Sequence, residues 1–348
     1  MTIVQIVRRY GPVGGMERYV WELTRELAGL GHRLLVICEL VCGGAVDARV
    51  DVVTHACPIA RPRWLAHLYF SRQVSRWLAA RRQADWIVHS HERSQGHTLT
   101  TFHAPPFARV REDPIWKRMS LRVAASLWLE RREILNPTVR AVVPCSDLIG
   151  QRLGRYYPEC RSILAKAIPP GVPPLPERPR RHIPSDGGTV GFIGYEWKRK
   201  GLDRAIQVAD KLLETRPNLE FLVAGPEPRM LKTLFSAYRG RVTFLGNTRA
   251  DTFYPRLDLL LHPARFEPYG MVVAEAMAAR VPVVISAECG ARSLVTPLHG
   301  RVLSVERPVE EWVEACSEML ARVDQSPGYG RPWKEVAEEY ASLYKSVA

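Results

Sequence analysis

The sequence predicts an α/β fold with parallel sheets, divided into two domains. Three observations lead to this prediction. Short β-branched runs alternate with longer segments of helical periodicity, as crossovers between parallel strands require. Glycines, histidines and charged residues follow several of these runs, at the strand ends where α/β folds bind ligands. A length of 348 residues suits two cores, and five prolines within residues 167–176 exclude a regular element, which places a boundary between residues 168 and 169.

The first predicted domain, residues 1–168, contains five predicted strands. Apolar runs place these strands at residues 2–7, 33–39, 85–89, 98–102 and 140–144. Helical periodicity predicts helices over about residues 16–31, within 61–82, over about 115–135, and from 147 towards 156. Ser146 precedes the last of these helices and is expected to cap it.

The second predicted domain, residues 169–330, continues the same alternation. Strands are predicted at residues 189–194, 221–224, 242–245, 258–262 and 281–285. Helices are predicted from residue 202, over 271–279 and over 309–322. Residues 333–347 carry apolar side chains at helical intervals and predict a final helix.

Positive charge is concentrated in the first predicted domain. The chain carries a formal net charge of +13, and residues 1–168 contain 25 Lys and Arg against 14 Asp and Glu. Residues 61–82 hold six arginines, no acid and two tryptophans, and residues 107–140 form a second basic, aromatic segment. The first segment is either a core helix with a solvated basic face or a surface that rests on anionic lipid. Nucleic acid, anionic lipid and phosphorylated glycan are all candidate partners.

The composition excludes several classes of protein. No apolar run approaches the roughly 20 residues that a membrane-spanning helix needs, and the first residues lack a signal-peptide pattern, so a cytoplasmic protein is expected. The seven cysteines are odd in number and show neither CxxC nor zinc-site spacing, so no metal site is predicted. Cys38, Cys145 and Cys289 lie in or beside apolar strands and are interpreted as core residues.

Residues 258–285 have the clearest chemical meaning. They predict a strand, a loop, a helix and a second strand, which leaves the loop 263–270 at the carboxyl end of a parallel strand. Gly270 and its neighbours open the helix, so their free N–H groups and the helix dipole suit an anion. Glu267 and Glu275 flank this helix start and can accept hydrogen bonds from sugar hydroxyls. The alternative is a buried βαβ unit with two solvated glutamates.

Two other loops carry residues suited to phosphate. Gly14 and Gly15 precede the first helix and let the backbone approach an anion, although a tight turn explains the same pair. Arg199 and Lys200, followed by Gly201, place two cations in a strand-to-helix loop, where a diphosphate would need them. A solvated cluster of charges is the alternative interpretation of this loop.

The string Glu267-Pro-Tyr-Gly-Met-Val-Val-Ala-Glu275 resembles the E-x7-E signature of retaining glycosyltransferases of family 4. The resemblance implies the GT-B architecture, in which two Rossmann-like, doubly wound domains face a central cleft. It also implies that Glu267 and the following backbone amides hold the donor sugar, and that Glu275 holds the nucleotide ribose. The donor-contacting residues that it carries over are Glu267, Tyr269, Gly270, Met271, Val272 and Glu275.

Other segments extend the resemblance. Residues 199–201 match the family's RKG phosphate contact, and Gly14 and Gly15 match a glycine pair close to the donor diphosphate. The string TTFHAP is similar to the segment whose histidine lies beside the reacting sugar, which implies that role for His103. Three other histidines are less favoured, namely His89, His91 and His97. Tyr195 stands where many family members have an arginine, so one part of the usual phosphate clamp is missing.

The same resemblance extends to domain roles and to function. Residues 1–168 would bind the acceptor, residues 169–330 the nucleotide-sugar donor, and residues 331–348 would form a helix that packs back on the first domain. The RKG and E-x7-E regions resemble lipopolysaccharide core glucosyltransferases. The expected reaction is retaining transfer of a hexose, from a UDP-sugar by preference, to a lipopolysaccharide core or another glycolipid at the inner face of the cytoplasmic membrane.

The sequence contains no Asp-x-Asp motif, so the helix amides with Arg199 and Lys200 are expected to neutralise the leaving diphosphate. Neither a metal ion nor another cofactor is therefore expected. Two alternatives stay open. One is a GT-B enzyme with a soluble sugar or sugar-phosphate acceptor. The other is a basic nucleic-acid-binding protein, although the sequence shows no nucleic-acid motif.

Overall fold

The computed structural model describes residues 1–225, 227–231 and 233–348. It divides the chain into two compact units. The first comprises Met1–Gly171 and Arg331–Ala348, and the second comprises Val172–Gly330. The sequence had placed the first boundary slightly earlier, after residue 168.

The first unit is built on a parallel sheet of six strands and a separate two-stranded ladder. Its strands are β1 (Thr2–Ile6), β2 (Arg9–Tyr10), β3 (Arg33–Cys38), β4 (Leu40–Val41), β5 (Val50–Thr54), β6 (Trp86–Ser90), β7 (Leu99–Phe102) and β8 (Ala141–Pro144). The sheet order is β5-β3-β1-β6-β7-β8, and β2 pairs with β4. The chain thus adds strands to one edge and then to the other, which is the doubly wound order of a Rossmann fold.

Helices connect these strands. They are α1 (Gly15–Gly29), α2 (Arg63–Arg81), α3 (Ile115–Arg118), α4 (Leu121–Leu135) and α5 (Asp147–Tyr156), with 3-10 turns at Phe107–Glu112 and Pro158–Ile163. The last helix of the chain, α12 (Trp333–Val347), also belongs to this unit. It joins the core of α1, where Tyr19, Tyr340 and Tyr344 are buried together.

The first unit differs from the sequence prediction in the ladder of β2 and β4, which was not predicted, and in two larger features. The single helix expected over about 115–135 is two helices, because the Ser120 hydroxyl accepts from the N–H of Val123 and so begins α4 anew. The edge strand β5 was not predicted, because its short run is interrupted by Asp51 and is only partly buried. Ser146 caps α5 as expected, accepting from the N–H of Ile149.

The second unit contains another parallel sheet of six strands. Its strands are β9 (Gly187–Ile193), β10 (Asn218–Ala224), β11 (Arg241–Gly246), β12 (Leu259–His262), β13 (Val283–Ser286) and β14 (Gly300–Leu303). The order β11-β10-β9-β12-β13-β14 repeats the doubly wound arrangement of the first unit. β14 was not predicted. It lies so close to β13 that a Cβ on Gly300 would meet the Val283 carbonyl at 1.7 Å.

Helices and turns cover this second sheet. They are α6 (Trp197–Lys200), α7 (Leu202–Leu212), α8 (Pro228–Leu231), α9 (Ala250–Phe253), α10 (Met271–Ala278) and α11 (Val309–Leu320), with 3-10 turns at Tyr254–Arg256 and Gly290–Leu294. The strands β12 and β13 are buried at every residue, which explains why they read as unbroken apolar runs. Among the helices of the described residues, none combines the length and the apolar character needed to cross a membrane.

Candidate active site

In the second unit, the predicted donor-binding residues meet at the carboxyl ends of β9 and β12. These neighbouring strands lie where the strand order reverses, because β10 follows β9 on one side and β12 flanks it on the other. Such a switch point opens a crevice between the loops that follow the two strands. The loop after β9 leads to Arg199 and Lys200, and the loop after β12 contains Glu267.

Glu267 is the centre of this cluster. Its Oε2 lies 3.2 Å from Arg199 Nη1 and 3.4 Å from Lys200 Nζ. The Nε2 of His262, a fully buried residue, is 3.7 Å away, which is longer than a hydrogen bond. Burial raises the pKa of Glu267, but His262, Lys200 and Arg199 outweigh that effect and leave the pKa well below its ordinary value. Glu267 is therefore a carboxylate held between two cations.

Backbone hydrogen bonds fix the loop that carries Glu267. Its N–H donates to the Glu288 carbonyl and its own carbonyl accepts from Gly290, both at 2.9 Å. The Ala291 N–H donates to the Tyr269 carbonyl at 2.6 Å, and Cys289 Sγ donates to the same oxygen. The loop that carries Glu267 therefore pairs with the segment that follows β13, and this pairing holds Glu267 in place.

Arg199 and Lys200, which the sequence had placed in a loop, end the short helix α6, and this helix is attached to the same framework. The Arg265 N–H donates to the Arg199 carbonyl at 2.9 Å, and Arg199 Nη1 donates to the Phe266 carbonyl at 2.6 Å. Gly201 follows with φ +76°, and a Cβ there would lie 2.0 Å from the Pro263 carbonyl oxygen. Glycine is required at this point because the two loops touch through their backbones.

The start of α10 is organised by Gly270. This residue has φ +99°, and an added Cβ would lie 2.5 Å from Cys289 Sγ. Met271 and Val272 form the first turn, whose N–H groups precede the helical hydrogen-bond ladder. Glu275 lies in the second turn, is buried, and accepts a 2.8 Å hydrogen bond from the Tyr254 hydroxyl.

The remaining predicted residues, Gly14, Gly15 and His103, belong to the first unit. Gly14 precedes α1 with φ +70°, and a Cβ there would meet Glu17 Oε2 at 2.4 Å, whereas a Cβ on Gly15 would enter open space. His103 follows β7 and is half-buried. Its Nε2 lies 2.9 Å from His91 Nδ1, and burial lowers the pKa of His103 to about 3.

His103 lines a cavity of about 420 Å³ within the first unit. Of the other three histidines considered, His91 also lines it, whereas His89 and His97 are fully buried and do not line it. The cavity wall carries charged residues that the sequence prediction did not select, namely Arg63, Glu92, Arg93, Arg122 and Glu133. The sequence offered one indication of Glu92, because this residue follows the predicted strand that became β6.

Two carboxyl groups in the cavity wall, those of Glu92 and Glu133, are buried and have raised pKa values. Burial raises the pKa of Glu133 to about 8, and it raises that of Glu92 to about 7 although Arg8 opposes the shift.

The described residues contain no candidate metal site, that is, no group of three or more histidine, cysteine, aspartate or glutamate side chains that could hold a metal ion.

Comparison with known families covers almost the whole chain in two parts. Residues 13–174 match the model of Glycosyltransferase Family 4, and residues 176–326 match that of Glycosyl transferases group 1. The chain is 25% identical over 328 residues to glycogen synthase of Mycobacterium tuberculosis H37Rv, covering 82% of this chain and 78% of the relative. It is 31% identical over 192 residues to the lipopolysaccharide glucosyltransferase WaaG of Escherichia coli K12, covering 50% of each.

Solved structures show the same fold. WaaG, a glycosyltransferase involved in lipopolysaccharide biosynthesis, superposes with a TM-score of 0.77 at 20% identity, covering 99% of this chain and 98% of that one. Anabaena HepE in complex with UDP-glucose gives a TM-score of 0.66 at 17% identity, covering 100% and 97%. Both units are therefore the Rossmann-like halves that the sequence predicted. With both halves matched to glycosyltransferase families, the chain belongs to the GT-B glycosyltransferases of the family 4 and group 1 type.

Proposed function

We propose that this glycosyltransferase is a retaining, metal-independent enzyme that transfers a hexose from a UDP-sugar to a lipopolysaccharide core or another glycolipid at the inner face of the cytoplasmic membrane. The proposal is carried by one observation. Glu267, on a loop held by backbone hydrogen bonds, meets Arg199 and Lys200 of α6 beside the first turn of α10. A nucleotide sugar combines a diphosphate with hydroxyl groups, and this arrangement offers partners for both.

The cations and the helix start serve the diphosphate. Arg199 and Lys200 supply two positive charges, and the positive end of the α10 dipole adds to them. As the sugar leaves, negative charge grows on the diphosphate, and cations already held in place stabilise it without reorganisation. This arrangement lets the chain neutralise the leaving group with its own residues.

The two glutamates serve the hydroxyl groups of the donor. Glu267 is ionised, so it accepts hydrogen bonds from sugar hydroxyls, and Glu275 accepts from the ribose. UDP is favoured as the nucleotide because HepE, which shares the fold, was solved with UDP-glucose. Retention by same-face displacement, with the leaving phosphate taking the acceptor proton, requires no nucleophile from the protein.

The acceptor proposal is supported by an exposed apolar surface on the first unit, at α3 and the start of α4. Trp116 is 72% exposed and Met119 is 79% exposed. The same surface carries further large exposed apolar side chains, at Ile115, Leu121 and Trp128. Exposed arginines, Arg118 and Arg122, lie between them. Apolar side chains framed by cations suit the headgroup region of an anionic membrane.

The other basic segment, residues 61–82, has a different role. Its helix α2 buries Phe70, Val74 and Leu78, and Trp77 stacks on Trp86. These contacts support the first interpretation of that segment, a core helix with a solvated basic face. We therefore assign the membrane contact to residues 115–128. The similarity to WaaG favours a lipopolysaccharide acceptor among glycolipids.

Donor binding tests the nucleotide-sugar site. Lys200→Ala and Glu275→Ala, made separately, are each expected to weaken UDP-glucose binding at least tenfold in calorimetry, because each removes a hydrogen-bonded or charged partner. Lys198→Ala is the matched control, since Lys198 is exposed and lies over the Trp197 ring. Unchanged binding in both site variants would overturn the assignment. A thermal-shift comparison of UDP-, GDP- and ADP-sugars identifies the base.

Vesicle binding tests the acceptor class. The protein is expected to sediment with anionic vesicles, less so as salt rises, and Trp116→Ser with Met119→Ser is expected to reduce that binding severalfold. Leu298→Ser is the matched control, because Leu298 is an exposed apolar side chain on the second unit. No binding to vesicles, together with turnover on a soluble sugar phosphate, would favour the soluble-acceptor alternative.

A further inference from the structure

A continuous chain of buried hydrogen bonds runs through the first unit and ends at His103. It begins at the carbonyl of Ile168, which lies 3.1 Å from the Tyr19 hydroxyl. Two side chains of α12, Tyr340 and Tyr344, are members of this chain. The contacts in order are Tyr19–Tyr340 at 3.0 Å, Tyr340–Thr101 at 2.6 Å, Thr101–His89 Nε2 at 2.7 Å, His89 Nδ1–Tyr344 at 2.7 Å, Tyr344–Gln5 at 3.2 Å, Gln5–His91 Nε2 at 2.8 Å and His91 Nδ1–His103 Nε2 at 2.9 Å.

The direction of the hydrogen bonds next to His103 is set by Gln5. Its amide nitrogen Nε2 donates to the Tyr344 hydroxyl at 3.2 Å, and its oxygen Oε1 faces His91 Nε2. Burial lowers the pKa of His89, His91 and His103, so they are neutral at physiological pH. At the far end of the chain, the Tyr19 hydroxyl donates towards Ile168 and Tyr340.

Each further step follows from the orientation of the Gln5 amide. Its Oε1 accepts from His91 Nε2–H, so the neutral His91 ring carries no proton on Nδ1. His103 therefore donates to His91 Nδ1 through its own Nε2–H.

We propose that this chain holds His103 as its Nε2–H tautomer and presents the bare Nδ1 as a hydrogen-bond acceptor for a substrate hydroxyl. Nδ1 makes no hydrogen bond to any residue that the structure describes, and His103 lines the cavity of the first unit. A sugar hydroxyl can donate to this nitrogen, whereas a phosphate oxygen without a proton cannot. His103 thus recognises a hydroxyl, and Gln5, His91 and Tyr344 are its positioning residues.

The inference rests on the proposed function for the identity of the substrate, but the tautomer is independent of it. The opposite polarity would place an unprotonated His91 Nε2 against the Gln5 carbonyl oxygen, two acceptors 2.8 Å apart. It would also place a hydrogen on His103 Nδ1, which would then suit a phosphate or carbonyl oxygen. The two polarities therefore predict different ligands and different spectra.

The tautomer can be measured without substrate. Two-bond proton–nitrogen spectra of the 15N-histidine-labelled protein distinguish a protonated from a bare ring nitrogen, and His103→Asn assigns the signals. His103 is expected to show a protonated Nε2 and a bare Nδ1. A protonated Nδ1 in the unaltered protein would overturn the proposal, whatever the variants do.

Breaking the chain tests the positioning role. Tyr344→Phe and Gln5→Leu are each expected to convert the His103 signals to a mixture of tautomers and to lower kcat/KM for hexose transfer about tenfold, with donor binding unchanged. Tyr10→Phe is the matched control, because Tyr10 is buried in the same core and its hydroxyl has no hydrogen-bond partner among the described residues. A single, unchanged tautomer in Tyr344→Phe would overturn the positioning role.

The outcomes also separate this inference from the proposed function. Normal transfer by Tyr344→Phe with a mixed tautomer would remove the functional role of the chain and leave the glycosyltransferase proposal intact. The expected tautomer combined with no binding of any nucleotide sugar would remove the donor proposal and leave the hydrogen-bond chain intact.

Discussion

The two units hold their candidate functional residues by opposite means. In the second unit, Glu267 is ionised and fixed between Arg199 and Lys200. In the first unit, His103 is neutral and held by a chain of uncharged groups that begins at Ile168. Charged partners attract from several directions and tolerate small shifts, whereas a neutral chain works only if every link carries its proton. The comparison shows that the proposed diphosphate site relies on charge, whereas the proposed hydroxyl site relies on the direction of neutral hydrogen bonds.

Two kinds of helix start occur in the molecule. Helices α1, α7 and α10 begin after Gly14, Gly201 and Gly270, all with positive φ and none with a side-chain cap. Helices α4 and α5 begin after Ser120 and Ser146, whose hydroxyls accept from their own first turns. An uncapped start leaves N–H groups for a ligand, and a capped start consumes them.

Glu267→Gln is the strongest test of the charged cluster. The substitution keeps the size of the side chain but removes the charge between Arg199 and Lys200. We expect kcat/KM for transfer from UDP-glucose to fall about 100-fold, as for other groups that act on charge in the transition state. Steady-state kinetics with circular dichroism as a check on folding provides the measurement.

Glu196→Gln is the matched control for this test. Glu196 contacts the same Arg199, at 2.9 and 2.6 Å, but it is exposed. We expect less than a threefold change, because an exposed ion pair contributes little. Equal losses in the two variants would mean that Arg199, rather than Glu267, is the group that matters.

Much of the second unit's site could be predicted because its parts are local in sequence. The fold class follows from the alternating runs, and the strands up to β13 lie within a few residues of their predicted positions. Arg199, Lys200, Glu267 and Glu275 occur in two short motifs, and the topology brings these motifs together at one switch point. Each motif could be recognised because its residues lie close together along the sequence.

The hydrogen-bond chain of the first unit could not be predicted in this way. Gln5 and Tyr344 are separated by 339 positions, and neither residue type signals chemistry on its own. The tautomer of His103 depends on the orientation of the Gln5 amide, which only its contacts with Tyr344 and His91 reveal. Pairings through space decide such a network, and a single sequence does not contain them.

Gly270→Ala separates the two effects that require glycine at the start of α10. We expect unfolding to become easier by about 2 kcal/mol, because alanine disfavours φ +99° and its Cβ would lie 2.5 Å from Cys289 Sγ. Gly246→Ala is the control, since Gly246 has φ +58° but open space around its Cβ position. Chemical denaturation should show a smaller loss there. Cys289→Ala should recover part of the loss in Gly270→Ala, and failure to do so would assign the whole cost to φ.

The pH dependence of stability distinguishes the carboxyl groups of the two units. The raised pKa of Glu133, about 8, means that the folded protein binds a proton that the unfolded chain has lost above its pKa of about 4.3, so stability falls as pH rises between these values. The lowered pKa of Glu267 has the opposite sign: its contribution is present above about pH 4.3 and is lost as pH falls towards the folded pKa.

Glu133→Gln measures the first of these effects. Glutamine resembles the protonated carboxyl, so the variant should equal the parent near pH 5 and exceed it in unfolding free energy at pH 8, by about 3 kcal/mol. Glu338→Gln, on the exposed face of α12, controls for the loss of one charge. A constant difference between Glu133→Gln and the parent across this pH range would show that Glu133 does not take up the proton.

The smallest expected effect concerns the break between α3 and α4, and its sign decides between two structures. Sequence periodicity predicts one helix over about residues 115–135, in which Ser120→Ala would stabilise the protein by a few tenths of a kcal/mol, since alanine is the better helix former. In the structure Ser120 caps α4 through the Val123 N–H, so the same substitution should destabilise it by about 1 kcal/mol. Ser146→Ala, at the start of α5, provides the reference for a capping loss in the same unit. If Ser120→Ala unfolds at a higher denaturant concentration than the parent, the two helices are one, and the apolar surface around Trp116 is displayed on a continuous helix instead of on two short ones.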